Sequence, residues 1–136
     1  MRRLFCLTTL GLCLLTTGCG GSDEIETAAV EGKVTMDGQP VYPATITFSP
    51  APSKGQTTAK GRPASASTEV DGTYSVPDAV VGYNVVGVMK EFTDQDSEEA
   101  EDSEMNIPLI GKPSRDNYLV ESGSNTIDIQ LVSPGT

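Results

Sequence analysis

The sequence contains no histidine and no tryptophan. Without histidine it lacks the usual general base of serine and cysteine hydrolases and the commonest protein metal ligand. Its three cysteines, Cys6, Cys13 and Cys19, all fall within the first nineteen residues. From position 20 onward there is thus neither a disulfide framework nor a thiolate zinc site. Basic residues are also scarce. Nine Lys and Arg face nineteen Asp and Glu, for a formal charge of −10. Such a surface disfavours nucleic acid, whose recognition needs a basic footprint. Aromatic residues make up 5% of the chain, so any core is modest and part of the chain is loop or tail. Outside the first residues no segment has helical periodicity, and no internal repeat is visible.

The N-terminus carries an address. Arg2 and Arg3 precede an apolar run from Leu4 to Leu15, followed by Thr16-Thr17-Gly18-Cys19. A run of about twelve residues is too short for a membrane-spanning helix, which needs about twenty, but suits the apolar region of an export signal. The expectation is a signal peptide over residues 1–18, helical while it lasts, then a flexible acidic tether over 19–27. Removal of Arg2 and Arg3 leaves a charge of about −12.

Beyond the tether the residues alternate in character. Val30, Gly32, Val34 and Met36 share one face against Glu31, Lys33 and Thr35. After a turn at Asp37-Gly38-Gln39-Pro40, Ala44, Ile46 and Phe48 do the same. This pairs Val34 with Ala44 and Val30 with Phe48 if the two strands form a hairpin. Ser49–Pro63 is a loop with Lys54, Lys60 and Arg62. Ala64–Val76 reads as a second hairpin, closed by a three-residue loop, Val70-Asp71-Gly72. This register sets Thr68 opposite Tyr74 and Ala66 opposite Val76, with Gly72 at the position that needs positive φ. Pro77-Asp78-Ala79 is a connection. Val80–Lys90 is the most strand-prone run. Its inward set is either Tyr83, Val85, Gly87 and Met89 or Asn84, Val86 and Val88. Apolar residues on both faces mark a central strand or a bulge at Gly87. Residues 91–104 hold eight acids and no base, and are expected to form a mobile loop. Asp94, Asp96 and Glu98 start like a calcium loop, but Glu99 and Met105 stand where it needs Gly and Glu. Residues 105–117 are irregular. Tyr118–Glu121 reads as a short strand, and Asn125–Val132 alternates Ile127, Ile129 and Leu131 with polar residues. About seven short strands argue for an all-β fold, a single antiparallel β-sandwich over residues 28–133.

Two resemblances add to this reading. Thr17-Gly18-Cys19 resembles the processing box of bacterial lipoproteins, although Thr16 stands where leucine is usual. That implies lipidation of Cys19 by a diacylglycerol thioether, cleavage before it and acylation, for example by palmitate, of the new amine. The ordered set Val30-Glu-Gly-Lys-Val34, Asp37-Gly38-Gln39-Pro40, Ala44-x-Ile46-x-Phe48, Thr68-x-x-Asp71-Gly72-x-Tyr74, Gly82-Tyr83 and Asn125-x-Ile127-x-Ile129-x-Leu131 is similar to the carboxypeptidase regulatory-like domain, a transthyretin-like (prealbumin-like) β-sandwich, as carried by short lipoproteins of planctomycete bacteria. In carboxypeptidases this domain is the non-catalytic accessory part. The departures are Val70 between the acids Glu69 and Asp71, and a compressed Gly82-Tyr83-Asn84-Val85-Val86 strand.

The functional expectation is a non-enzymatic, lipid-anchored protein of the cell envelope, on its periplasmic or outer-surface side. It would bind or scaffold an envelope protein or glycan, without catalytic residues, cofactor, metal or nucleic-acid partner. The alternative is an extracytoplasmic adhesin for carbohydrate or cations. In the mature chain its aromatic platforms are limited to Tyr42, Tyr74, Tyr83, Tyr118, Phe48 and Phe92. An acid pair such as Glu69 and Asp71 could in principle do acid–base work, but turn chemistry, in which Asp caps its own backbone, is the better account of it.

Overall fold

The computed structural model describes residues 24–91 and 110–133. The signal peptide, Cys19, most of the tether and the acidic residues 92–104 lie outside them, as do 105–109 and 134–136. Ten strands appear among the described residues: β1 (Thr27–Met36), β2 (Gln39–Pro40), β3 (Ala44–Pro50), β4 (Ala64–Ser67), β5 (Thr73–Val80), β6 (Gly82–Lys90), β7 (Lys112–Pro113), β8 (Tyr118–Val120), β9 (Ser124–Thr126) and β10 (Ile129–Val132). They form two packed sheets, so the protein is an all-β sandwich.

The smaller sheet runs β4-β3-β6-β8 and is antiparallel throughout. The larger is built around β1. Along one edge of β1 lie β5 and then β2, both antiparallel to it; the backbone of Val34 joins them, donating to Gly72 and accepting from Val41. Along the other edge lie β9 and then β10, both parallel to β1, with β7 beyond β10. The inner faces meet in one core. β1 supplies Val30 and Val34, β3 Ala44, Ile46 and Phe48, β6 Val86 and Val88, and β10 Ile129 and Leu131. Phe48 and Tyr74 bridge the sheets with ring centroids 6.0 Å apart. Burying each large aliphatic or aromatic side chain contributes about 1.5–3 kcal/mol.

The alternating faces stand as read, but the partners differ. Ala64–Ser67 and Thr73–Val80 do not pair: β4 adds to β3 and β5 adds to β1, in different sheets. Only the tip survives as expected. Glu69 N donates to the carbonyl of Thr73 across Val70-Asp71-Gly72, and Gly72 has φ of +80°. The turn is therefore a corner of the sandwich. A side chain on Gly72 would also meet the Val34 carbonyl at 2.7 Å. Likewise β1 and β3 do not form the expected hairpin. Val34 and Ala44, and Val30 and Phe48, point at a common interior from opposite sheets. Both errors have one cause: alternation specifies which way a side chain faces, not which strand lies beside it.

Pro77-Asp78-Ala79 belongs to β5 rather than to a connection. The register with β1 slips between Ala28 and Val30, so β5 carries one extra residue there, a bulge that accommodates the donor Pro77 lacks. In β6 the inward set is Asn84, Val86 and Val88; the ladder to β3 passes Gly87 without a shift, so β6 is a central strand. The expected strand over 125–132 is broken in two at Ile127-Asp128, and Lys112–Pro113 adds a short strand to a region expected to be irregular.

Candidate functional site

The outward face of the smaller sheet has two halves. On β3 and β4 it presents hydroxyls. Thr47 bonds Ser65 at 2.8 Å, and Thr45 and Ser67 donate to the Glu91 carboxylate at 2.7 and 2.5 Å. Those two bonds, Ser67 first, hold the Glu91 carboxyl below the usual glutamate range. Glu91, the first acid of the acidic run, is thereby fixed to the sheet. On β6 and β8 the outward face is apolar. Tyr83 and Leu119 are register partners, 62% and 48% exposed, and Val85 is 49% exposed.

Two recesses open on this apolar half and share Arg115. A groove of about 1020 Å³ has Thr47, Val85, Gly87 and Met89 in its floor and Lys112–Asp116 and Val132 along its wall. A recess of about 500 Å³ lies around Tyr83, Arg115, Asn117, Tyr118, Leu119 and Thr126–Asp128. Lys112 pairs with Asp116 at 3.4 Å. The last strand breaks beside this recess, and residues of the break line it. β9 and β10 continue the same register along β1, yet between them Asp128 replaces a backbone group: its Oδ1 accepts from Lys33 N at 3.0 Å. Beneath, Tyr118 is 4% exposed and its hydroxyl has no hydrogen-bond partner among the described residues. Its register partner Asn84 donates through Nδ2 to Val80 and Gly82 carbonyls at 2.8 and 3.0 Å, and its Oδ1 also has no partner among the described residues.

The candidate residues fall out unevenly. Cys19, Phe92, Asp94, Asp96 and Glu98 lie outside the described residues. Phe48 and Tyr74 are core, Tyr42 is exposed apart from the recesses, and Tyr83 and Tyr118 meet at the smaller one. The Glu69–Asp71 pair serves the corner. Asp71 Oδ1 accepts from the Thr73 hydroxyl at 2.6 Å and from its N–H at 3.0 Å; these bonds, the hydroxyl first, lower its pKa. Among the described residues no group of three or more His, Cys, Asp or Glu stands where it could hold a metal ion, and no helix is long and apolar enough to cross a membrane. Arg115, Asn117, Thr126 and Asp128 were not legible as site residues, since they come from a segment without periodicity and from a break inside an apparently regular strand.

Compared with known proteins, the chain matches no family model and no curated protein.

Proposed function

We propose that the protein is a non-catalytic binding or scaffolding module, held at the cell envelope by lipid on Cys19. In this reading its sandwich is of the carboxypeptidase regulatory-like kind. The observation that carries the binding role is the open outer face of the β6–β8 half-sheet. Tyr83, Val85 and Leu119 stay exposed there beside a cationic Arg115 that no described residue pairs, in a chain of strongly negative charge. Single exposed apolar residues are ordinary, but a contiguous patch at a concave site marks an interaction surface. The absence of chemistry is supported by the acid pair, whose second member is occupied in holding its own turn. The anchor rests on the sequence around Cys19. Several acyl chains together hold a protein stably on a membrane, at about 0.8 kcal/mol per buried methylene.

Labelling cells with radioactive palmitate tests the anchor. The wild-type chain takes up label and the Cys19→Ala chain does not. Equal absence of label from both removes the lipid anchor.

A further inference from the structure

The smaller recess has the chemistry of a sugar site. Its volume of about 500 Å³ falls within the range of about 300–1,000 Å³ common to small-molecule sites. At its rim stands Tyr83, the most exposed ring among the described aromatics that line it, with Leu119 beside it. An exposed ring offers a flat, apolar platform with a polar tip. Facing it are groups that both donate and accept. Arg115 and the Asn117 amide donate. The Thr126 hydroxyl does either. Asp128 keeps one carboxylate oxygen beyond the one bonded to Lys33. Tyr118 lies in the wall, buried and with a hydroxyl that no described residue partners.

A pyranose matches this set. Its axial C–H face is apolar and lies on an aromatic ring, while its vicinal hydroxyls each donate and accept at the edge. An apolar guest would leave the amide, guanidinium and carboxylate unpaired, which is costly once water is displaced. A polyanionic guest would meet a surface of net charge −10. A bare cation would find no cluster of three acidic groups among the described residues.

We propose that this recess binds a neutral pyranose unit of a glycan, with the ring face on Tyr83 and the hydroxyls toward Arg115, Asn117 and Asp128. This rests on the reading of the protein as a binding module and names the class of its ligand.

The test uses the full chain as cells make it, purified from a whole-cell detergent extract that holds membrane-bound and soluble protein alike. It is titrated by calorimetry with neutral hexasaccharides of glucose, mannose, galactose and N-acetylglucosamine, and with a hexasaccharide of uronic acid. The expected result is saturable binding of at least one neutral sugar at about 1 mM or tighter. Tyr83→Ala and Arg115→Ala each weaken it at least about tenfold, or 1.4 kcal/mol. Tyr42→Ala, an exposed tyrosine outside the recess, leaves it unchanged. Circular dichroism of each variant confirms retained strand content. Saturable binding that survives both recess substitutions, binding of the uronic acid alone, or no binding of any neutral sugar overturns the proposal. Palmitate labelling at Cys19 is read on the same preparation, so loss of the anchor and loss of the sugar site are separate results.

Discussion

The hydroxyl of Tyr74, on β5, donates to the backbone carbonyl of Ile127 at 2.5 Å, reaching across β1 to the break between β9 and β10 on its other edge. It passes over Gly32, its own register partner. A Cβ on Gly32 would lie 1.9 Å from the Ile127 carbonyl oxygen and 3.1 Å from the Tyr74 ring. The small residue, the phenol and the break between β9 and β10 are therefore one device. The carbonyl released from the ladder at the break settles over Gly32 and is capped by the phenol. Burial, with Asp128 and Tyr118 nearby, raises the Tyr74 pKa, so the hydroxyl stays a donor across the ordinary pH range.

Tyr74→Phe keeps the ring between the sheets and removes only the donor. We expect a loss of about 1 kcal/mol, with a further penalty if the Ile127 carbonyl finds no water. Urea unfolding followed by circular dichroism measures it. An unchanged midpoint contradicts the capping role.

Gly32→Ala places a methyl group against backbone, which cannot rotate away. The expected cost is at least about 1–3 kcal/mol, the range for overpacking. Amide exchange should be fastest at Ile127 and along β9 and β10, because those residues must move. Gly87→Ala, where an added Cβ meets nothing within 4 Å, is the control and should be nearly neutral.

Asn84→Ala leaves the Val80 and Gly82 carbonyls without their donor at the corner between β5 and β6. Buried acceptors left unmade cost about 1–3 kcal/mol. Equilibrium unfolding checks this. Asn84→Asp should be worse near neutral pH, since it buries a charge and removes the donor.

Acid should weaken the attachment of Glu91 to Thr45 and Ser67. The folded pKa is lowered, so the contribution is complete above the ordinary glutamate range and disappears as pH falls through the folded value. The side chain is half-buried at the edge of the sheet, within reach of solvent, so the effect is small. Unfolding midpoints of wild type and Glu91→Gln, compared at neutral and acid pH, should converge on acidification. A gap that stays constant with pH contradicts the linkage.

Much of the candidate site was hidden in the sequence because its parts look ordinary there. Tyr83 and Asn84 are adjacent on a run with apolar residues on both faces, and nothing local says which points inward. The structure buries Asn84, which gives its amide two carbonyls at a corner, and turns Tyr83 outward. Asp128 sits in the cleanest alternation of the chain, yet its carboxylate substitutes for a backbone partner of Lys33 and ends the strand.

What the sequence determined alone is local. Alternation at period two set the strands and the faces of Val30, Val34, Ala44, Ile46 and Phe48. Asp71-Gly72 set the three-residue turn, because only glycine takes its left-handed φ without steric cost. What the tertiary structure decided is partnership: β4 beside β3, β5 beside β1, and the last strands parallel to β1 rather than antiparallel. In a sandwich, strands from either sheet bury the same kind of face in the same core. Side-chain character is therefore equal for both assignments, and only the packing of the whole chain, with its close approach over Gly32, tells them apart.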